Sequence, residues 1–320
     1  MKALVTGGAG FIGSNLCQQL IQDDWNVFVV DDLSTGFRDN LVDGVKSKFF
    51  TIGVNPEVLK HIVGQVDVIF HLAARPRISY SVEYPFRTCQ NNIMSTVAVL
   101  EYARNLPQPP RVVYSGSSSI YGETKRLPTF EDDPPNPQSP YALQKWQGEE
   151  WCRMYSKTYG LDTVCLRYFN IIGKGSRYGG AYSTVFSAWL YSTLIDISVP
   201  PYIEGDGFQC RDFTTVENVV QANILAATSK LKFEGDAFNV AQGETHSLWD
   251  CKKVLEEICG KSFELEQRPP RPGDVRNTHA DISKAKEILG YNPDTDFKAQ
   301  VQKMADWYRD FYRDFCEVKI

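Results

Sequence analysis

The chain has 320 residues and a mass of 36.2 kDa, enough for a sizeable buried core and, at roughly 150 residues per domain, for two domains. Thirty-four Lys and Arg stand against 39 Asp and Glu, a formal net charge of −5, with 42% apolar and 23% charged residues. That balance excludes a small stapled scaffold, a disordered chain and a nucleic-acid binder held by bulk positive charge, though a small anionic ligand needs only a few local donors. The eight cysteines (Cys17, Cys89, Cys152, Cys165, Cys210, Cys251, Cys259 and Cys316) form no C-x-x-C and no cluster with His at ligand spacing, so no metal is expected. There is no charged segment followed by an apolar leader, and no run of about 18 apolar residues. The reading is a cytosolic protein with reduced thiols, no membrane and no nucleic-acid partner.

In chain order, short apolar runs predict strands at Lys2 to Thr6, Asn26 to Val30, Lys48 to Ile52, Asp67 to His71, Arg111 to Ser115 and Thr163 to Tyr168. Amphipathic stretches between them predict helices at Phe11 to Ile21, Gln90 to Asn105 and Tyr141 to Tyr159. Alternation of this kind predicts an α/β fold: a doubly wound parallel sheet of Rossmann type with helices on both faces. After Phe169 the pattern changes to loop and Pro-rich segments. A dinucleotide-binding domain over 1–170, with return segments at about 211–241, is therefore expected to precede a smaller C-terminal α/β domain over most of 171–320, which would bind the substrate.

Two patterns carry chemistry. Gly7-Gly8-Ala9-Gly10-Phe11-Ile12-Gly13 joins the first strand to the first helix, where glycines allow a tight turn and close approach of backbone N–H groups to a pyrophosphate. The second strand ends in Asp31-Asp32, placed to take a ribose 2′-hydroxyl and to repel a 2′-phosphate, which favours NAD over NADP. Tyr141 and Lys145 stand four residues apart, one above the other on a helix face. An ammonium beside a phenol favours the phenolate and makes it a usable general base. The pair follows a strand ending Val113-Tyr114-Ser115 and the hydroxyl-rich run Gly116-Ser117-Ser118-Ser119-Ile120-Tyr121-Gly122, on the side where a parallel sheet binds its ligands.

The chain resembles the extended short-chain dehydrogenases/reductases, and among them the nucleotide-sugar 4-epimerases. The resemblance is carried by Thr6 to Gly13, Asp31 to Gly36, His71-Leu72-Ala73-Ala74, Ser117 to Gly122, Ser139-Pro140-Tyr141 with Lys145, Arg167-Tyr168-Phe169-Asn170, Gly205-Asp206-Gly207 with Arg211-Asp212-Phe213, and Gly273-Asp274-Val275-Arg276. It implies catalysis by Tyr141, Lys145 and Ser117: Tyr141 takes the proton of the sugar 4-hydroxyl, Lys145 lowers its pKa and holds the nicotinamide ribose, and Ser117 bonds the same hydroxyl. The 4-keto sugar then turns over and receives the hydride on its other face. NAD contacts are implied at Gly7, Gly10, Phe11, Ile12 and Gly13, at Asp31, Asp32, Ser34, Thr35 and Gly36, and at Leu72, Ala73, Ala74, Asn92, Ser115, Tyr141, Lys145 and Tyr168. Contacts to a UDP-sugar are implied at Arg75, Arg77, Ser117, Ser118, Asn170, Thr184, Tyr202, Arg211, Arg271, Asp274 and Thr278. A two-fold homodimer through the helices at Gln90 to Asn105 and Tyr141 to Tyr159 is implied as well.

In related dehydratases and decarboxylases an acid follows the catalytic hydroxyl; here Ser118 and Ser119 follow Ser117, which points to epimerisation. Thr278 occupies the place where a Tyr narrows the pocket in hexose enzymes. Its smaller side chain points to UDP-GlcNAc/UDP-GalNAc interconversion, with UDP-Glc/UDP-Gal also open. Two features depart from the pattern. Arg75-Pro76-Arg77 follows His-x-Ala-Ala, where an Arg suits either a substrate carboxylate, as in a UDP-glucuronate epimerase or decarboxylase, or the phosphate path. The third strand ends Gly53-Val54-Asn55, without the usual adenine-contacting Asp. A non-catalytic NAD-binding protein on the same fold is the reading of another class.

Overall fold

The computed structural model describes residues 1–46, 48–180, 183–270 and 275–313. Arg271, Asp274 and Cys316 lie outside them. Seven parallel strands form one sheet: β1 (Lys2–Thr6), β2 (Asn26–Asp31), β3 (Phe49–Thr51), β4 (Val68–His71), β5 (Arg111–Ser117), β6 (Thr163–Tyr168) and β7 (Glu234–Val240). Their order is β3-β2-β1-β4-β5-β6-β7. Both faces of each inner strand are covered, which is why the runs are apolar throughout rather than alternating. The period of two still shows in where side chains go: Ala3, Val5, Val68 and Phe70 enter one core, while Leu4 and Ile69 enter the core on the other face.

Helices α1 (Phe11–Gln22) and α4 (Val216–Thr228) cover the first face through Leu16, Leu20, Val219 and Ala226. Helices α2 (Ser95–Arg104) and α3 (Pro140–Tyr159) cover the second through Val99, Leu100, Cys152 and Tyr155. α3 starts where its sequence says: Ser139 accepts a bond from the Ala142 N–H, Pro140 fills the first turn, and Gly160 ends the helix at φ 70°. The stretch predicted as one helix from Gln90 to Asn105 is two: Gln90–Met94 winds as a π-turn and α2 follows. The wider turn lets the Asn92 side chain face inward, a use typical of such turns near functional sites.

Strand order reverses between β1 and β4, so the C-terminal strand edge opens a crevice there. Beyond β6 a third core gathers Phe186, Trp189, Ile203 and Phe213 with α5 (Leu248–Cys259) and α6 (Phe297–Phe311). Three two-residue or three-residue pairings tie this region together: Ile171–Ile172 with Thr214–Thr215, Cys210–Arg211 with His246–Ser247, and Tyr202–Glu204 with Glu266–Arg268. Among the described residues no helix is long and apolar enough to cross a membrane, and no group of three His, Cys, Asp or Glu is placed to hold a metal.

Candidate active site

A cavity of about 520 Å³ runs along the C-terminal edge of the sheet. Its floor is the Gly-rich turn. A Cβ on Gly7, at φ +73°, would lie 2.7 Å from the Ala73 nitrogen, and one on Gly13 would lie 2.2 Å from the Gly7 carbonyl oxygen. Only glycine permits this approach of α1 to the turn. Gly10 begins α1 without a side-chain cap, which leaves the first N–H groups to a ligand in the cavity. The two acids at the end of β2 divide the work. Buried Asp31 accepts the Ala9 N–H at 3.0 Å and the Leu33 N–H at 2.8 Å, bracing the turn. Burial pushes its carboxyl above the ordinary value against those two bonds. Asp32 is exposed and accepts the Ser34 N–H. Ser34 and Thr35 line the cavity, while Gly36 packs on Ala9 beneath it. At the far end Gly53, Val54 and Asn55 line the wall, and the Asn55 side chain is committed to capping the helix Pro56–Ile62.

Leu72, Ala73 and Ala74 form the wall after β4, positioned by a chain of bonds with only one consistent proton assignment. The Ala73 N–H donates to Thr6 Oγ1 (3.3 Å), whose hydroxyl pairs with His71 Nδ1 (2.7 Å). His71 Nε2 pairs with Thr96 Oγ1 (3.0 Å), which donates to the Asn92 carbonyl (2.8 Å). Nδ1 therefore accepts and Nε2 carries the proton. Burial pushes the imidazole down to about 3, with Lys145 adding to the shift, so His71 stays neutral. Asn92 itself lies behind the cavity: its Oδ1 accepts the Arg75 N–H (2.7 Å) and its Nδ2 donates to Gln144 Oε1 (2.8 Å).

At the other end Ser115, Ser117, Tyr141, Lys145 and Tyr168 line the cavity together. Tyr141 and Lys145 rise from one face of α3. Buried Lys145 donates to the Ser115 carbonyl at 2.7 Å, with its ammonium 5.1 Å from the Tyr114 ring centre. Burial pushes its pKa down to about 8, and the Glu149 carboxylate one turn on pulls the other way. Glu149 is in turn held by Arg167, whose Nη2 lies 2.8 Å from Oε2 with both side chains buried. Ser117 Oγ accepts the Ser119 N–H (3.2 Å) and lies 2.9 Å from Ser119 Oγ. The Tyr168 hydroxyl is shared by Ser115 and Asn223. A phenol, an ammonium and an aliphatic hydroxyl facing one space can exchange a proton with a bound alcohol.

The residues expected at the sugar nucleotide gather only in part. Asn170 Nδ2 donates to Thr278 Oγ1 (2.8 Å) and to the Asp212 carbonyl (3.0 Å), and the Asp212 N–H donates to the Thr278 carbonyl, so Asn170, Thr278 and the Arg211-Asp212 segment form one cluster. Arg211 bonds the Cys210 and Arg276 carbonyls. Ser118 opens the single turn Ser118–Tyr121, and Thr184 caps the helix Val185–Leu190 through Ser187. Tyr202 carries the Arg268 guanidinium 3.9 Å over its ring. Ser118, Thr184 and Tyr202, like Asn170, Arg211 and Thr278, are not among the residues lining the cavity. Arg75 does line it, and Arg77 lines an adjoining recess with Ser34, Tyr80 and Gly179. Sequence reasoning missed Arg177, Asn40 and Phe37, which also line the cavity, and the Glu149–Arg167 pair behind Lys145. Glu149 was findable, since it follows Lys145 by four residues on the same helix face.

Residues 3–241 match the NAD dependent epimerase/dehydratase family. A putative UDP-glucose 4-epimerase of Methanocaldococcus jannaschii is 33% identical over 96% of this chain and 98% of its own length. The UDP-glucose 4-epimerase of Thermotoga maritima, solved with UDP-glucose, superposes with a TM-score of 0.91 at 32% identity, covering 97% of this chain and 99% of that one. The UDP-N-acetylglucosamine 4-epimerase of Methanobrevibacter ruminantium, solved with UDP-N-acetylmuramic acid, gives 0.89 at 32% identity over 97% and 98%. The chain belongs to the NAD dependent epimerase/dehydratase family. Within it, the chain is an isomerase of the UDP-sugar 4-epimerase class with NAD as cofactor, a group that the glycine cradle, the uncapped helix end and the two β2 acids fit.

Proposed function

We propose that this epimerase interconverts UDP-GlcNAc and UDP-GalNAc, with Ser117, Tyr141 and Lys145 as its catalytic residues. Their convergence at one end of the dinucleotide cavity is the observation that carries the assignment of roles. When bound, NAD supplies acceptance and return of a hydride at the sugar C4. Tyr141 removes the proton of the 4-hydroxyl and later restores it; Ser117 holds that hydroxyl in line; Lys145, charged below about pH 8, favours the phenolate. Arg167 pairs with the buried Glu149 carboxylate, whose charge in turn favours the ammonium of Lys145.

The sugar choice is supported by Thr278, a small residue beside Asn170. UDP-Glc/UDP-Gal is the second reading, favoured by the similarity to the Thermotoga enzyme. The carboxylate reading of Arg75 and Arg77 is decided by the assay below, since bonds to the Ser34 and Gly180 carbonyls supply neither arginine with a counter-charge. Residues 171–320 then mainly supply the sugar-nucleotide side, with Asn170 and Arg211 at the substrate. The working unit is a homodimer, since α3 leaves Leu143, Trp151 and Met154 exposed along its outer face. Incubating the protein with UDP-GlcNAc, UDP-Glc and UDP-GlcA in parallel, and resolving products by proton NMR, tests the reading. UDP-GalNAc is expected from the first; turnover of UDP-GlcA alone overturns the sugar assignment.

A further inference from the structure

Two arginines reach the dinucleotide cavity from different strand ends, Arg75 from the loop after β4 and Arg177 from the loop after β6. Each has a buried Nε with no hydrogen-bond partner among the described residues. Both are held from behind by neutral groups. Arg75 Nη1 donates to the Ser34 carbonyl at 3.2 Å, and its backbone is pinned by Asn92. Arg177 Nη2 donates to Asn40 Oδ1 at 2.5 Å, and its guanidinium sits 4.4 Å from the ring centres of both Phe37 and Phe311. No carboxylate among the described residues lies within ion-pair distance of either one. Burial pushes the Arg177 guanidinium below its ordinary value, with Tyr312 and then Asp39 opposing. A partly desolvated cation fixed by neutral partners lacks a counter-ion, and an anion in the cavity would supply one.

The position along the cavity identifies which anion. Asn40, the partner of Arg177, donates through its Nδ2 to the Ala9 carbonyl at 2.8 Å, inside the Gly-rich turn. The Arg177 loop is also stapled to α1, since Asn15 Nδ2 donates to the Lys174 carbonyl (3.0 Å) and Lys174 Nζ to Gln18 Oε1 (2.8 Å). Arg177 is thus indexed to the helix end that faces phosphate. We propose that Arg75 and Arg177 clamp the diphosphate of the bound dinucleotide, holding the cofactor by charge from two loops in addition to the helix N-terminus. Guanidinium groups suit this because their planar N–H array matches phosphate oxygens. The clamp also answers the adenine end, where Gly53 and Val54 carry no polar side chain and Asn55 is spent on a helix cap.

The inference rests on the cavity being the NAD site, and the test separates the two. Full-length wild type, Arg177→Met, Arg75→Met and Arg177→Lys are compared for NAD retained through gel filtration, and for affinity toward ADP and adenosine at low and high salt. Each Met variant is expected to release NAD at least tenfold faster and to lose about tenfold in ADP affinity, with adenosine affinity unchanged and a flatter salt dependence. Arg177→Lys recovers part of the loss. Unchanged NAD and ADP binding overturns the clamp, and so does an equal loss for adenosine, which marks a collapsed loop rather than a lost phosphate contact. A wild-type protein that retains no NAD and binds no ADP overturns the cofactor reading and the clamp with it.

Discussion

The two halves of this molecule build binding surface in different ways. The cofactor side is made from strand ends of one parallel sheet, where register fixes each residue: Thr6 pairs with His71 and His71 with Tyr114, so the Gly-rich turn, the β4 loop and the hydroxyl run emerge side by side. The side proposed for the sugar is made from loops joined by pairings only two or three residues long, such as Cys210–Arg211 with His246–Ser247. A sheet edge inherits its geometry from backbone hydrogen bonds, whereas a loop cluster inherits it from individual side chains such as Asn170 on Thr278. Chemistry shared across a family belongs on the first kind of surface, and choice among sugars on the second.

The sharpest break of that comparison is at the catalytic end. Tyr141→Phe is expected to lower kcat by about 10² to 10⁴, the range of lost general acid–base catalysis, while NAD stays bound, because the Gly-rich turn and the two arginines proposed at its diphosphate are untouched. Single-turnover reduction of bound NAD by UDP-GlcNAc reads both. Loss of NAD together with kcat would mean that the two functions are not separable.

Next comes the brace behind that end. Arg167→Met leaves Glu149, which is fully buried, without its partner, and removing one side of a buried pair costs about 3–5 kcal/mol. Denaturant unfolding is expected to show that loss, and Arg167→Met with Glu149→Met to recover much of it. A double variant no better than the single would show that Arg167 matters through Tyr121, to which its Nη1 also donates.

The same contrast explains what was legible in the sequence. β1 and β6 begin and end where their apolar runs do, because parallel strands buried on both faces leave no ambiguity of period. The Gly-rich turn, Asp31-Asp32, Tyr141 and Lys145 were legible because a few residues of spacing fix their geometry. Arg177 was not, since its place is set by Asn40, 137 residues away in sequence, and by Phe311 on α6. Asn92 is implied as an NAD contact by the family resemblance alone and lies behind the cavity; its inward turn depends on a π-turn that leaves no mark in an amphipathic period. On the sugar side the two-residue pairings have no period to read at all.

On that less legible side, Thr278→Tyr sharpens the comparison. It is expected to lower kcat/KM for UDP-GlcNAc by about 10- to 200-fold, the scale of a steric pocket change, with UDP-Glc turnover and NAD content kept. An equal fall for both sugars would assign Thr278 to holding Asn170 rather than to pocket width.

The smallest effect distinguishes the halves by pH. Burial lowers the Lys145 pKa to about 8 in the folded chain, against roughly 10.4 when unfolded. Between those values the unfolded state binds the extra proton, so stability rises with pH. From pH 8 to pH 9 the gain is about 1 kcal/mol relative to Lys145→Met, measured by denaturant unfolding of NAD-free protein. Over the same interval turnover should fall, because the ammonium that favours the Tyr141 phenolate is lost. A gap between wild type and Lys145→Met that does not move with pH would show that water reaches Lys145, and that the sheet edge leaves its catalytic end more open than the burial of α3 implies. Opposite slopes for stability and turnover would mark a charge kept for function at the expense of the fold, placed by the same parallel register that places the cofactor.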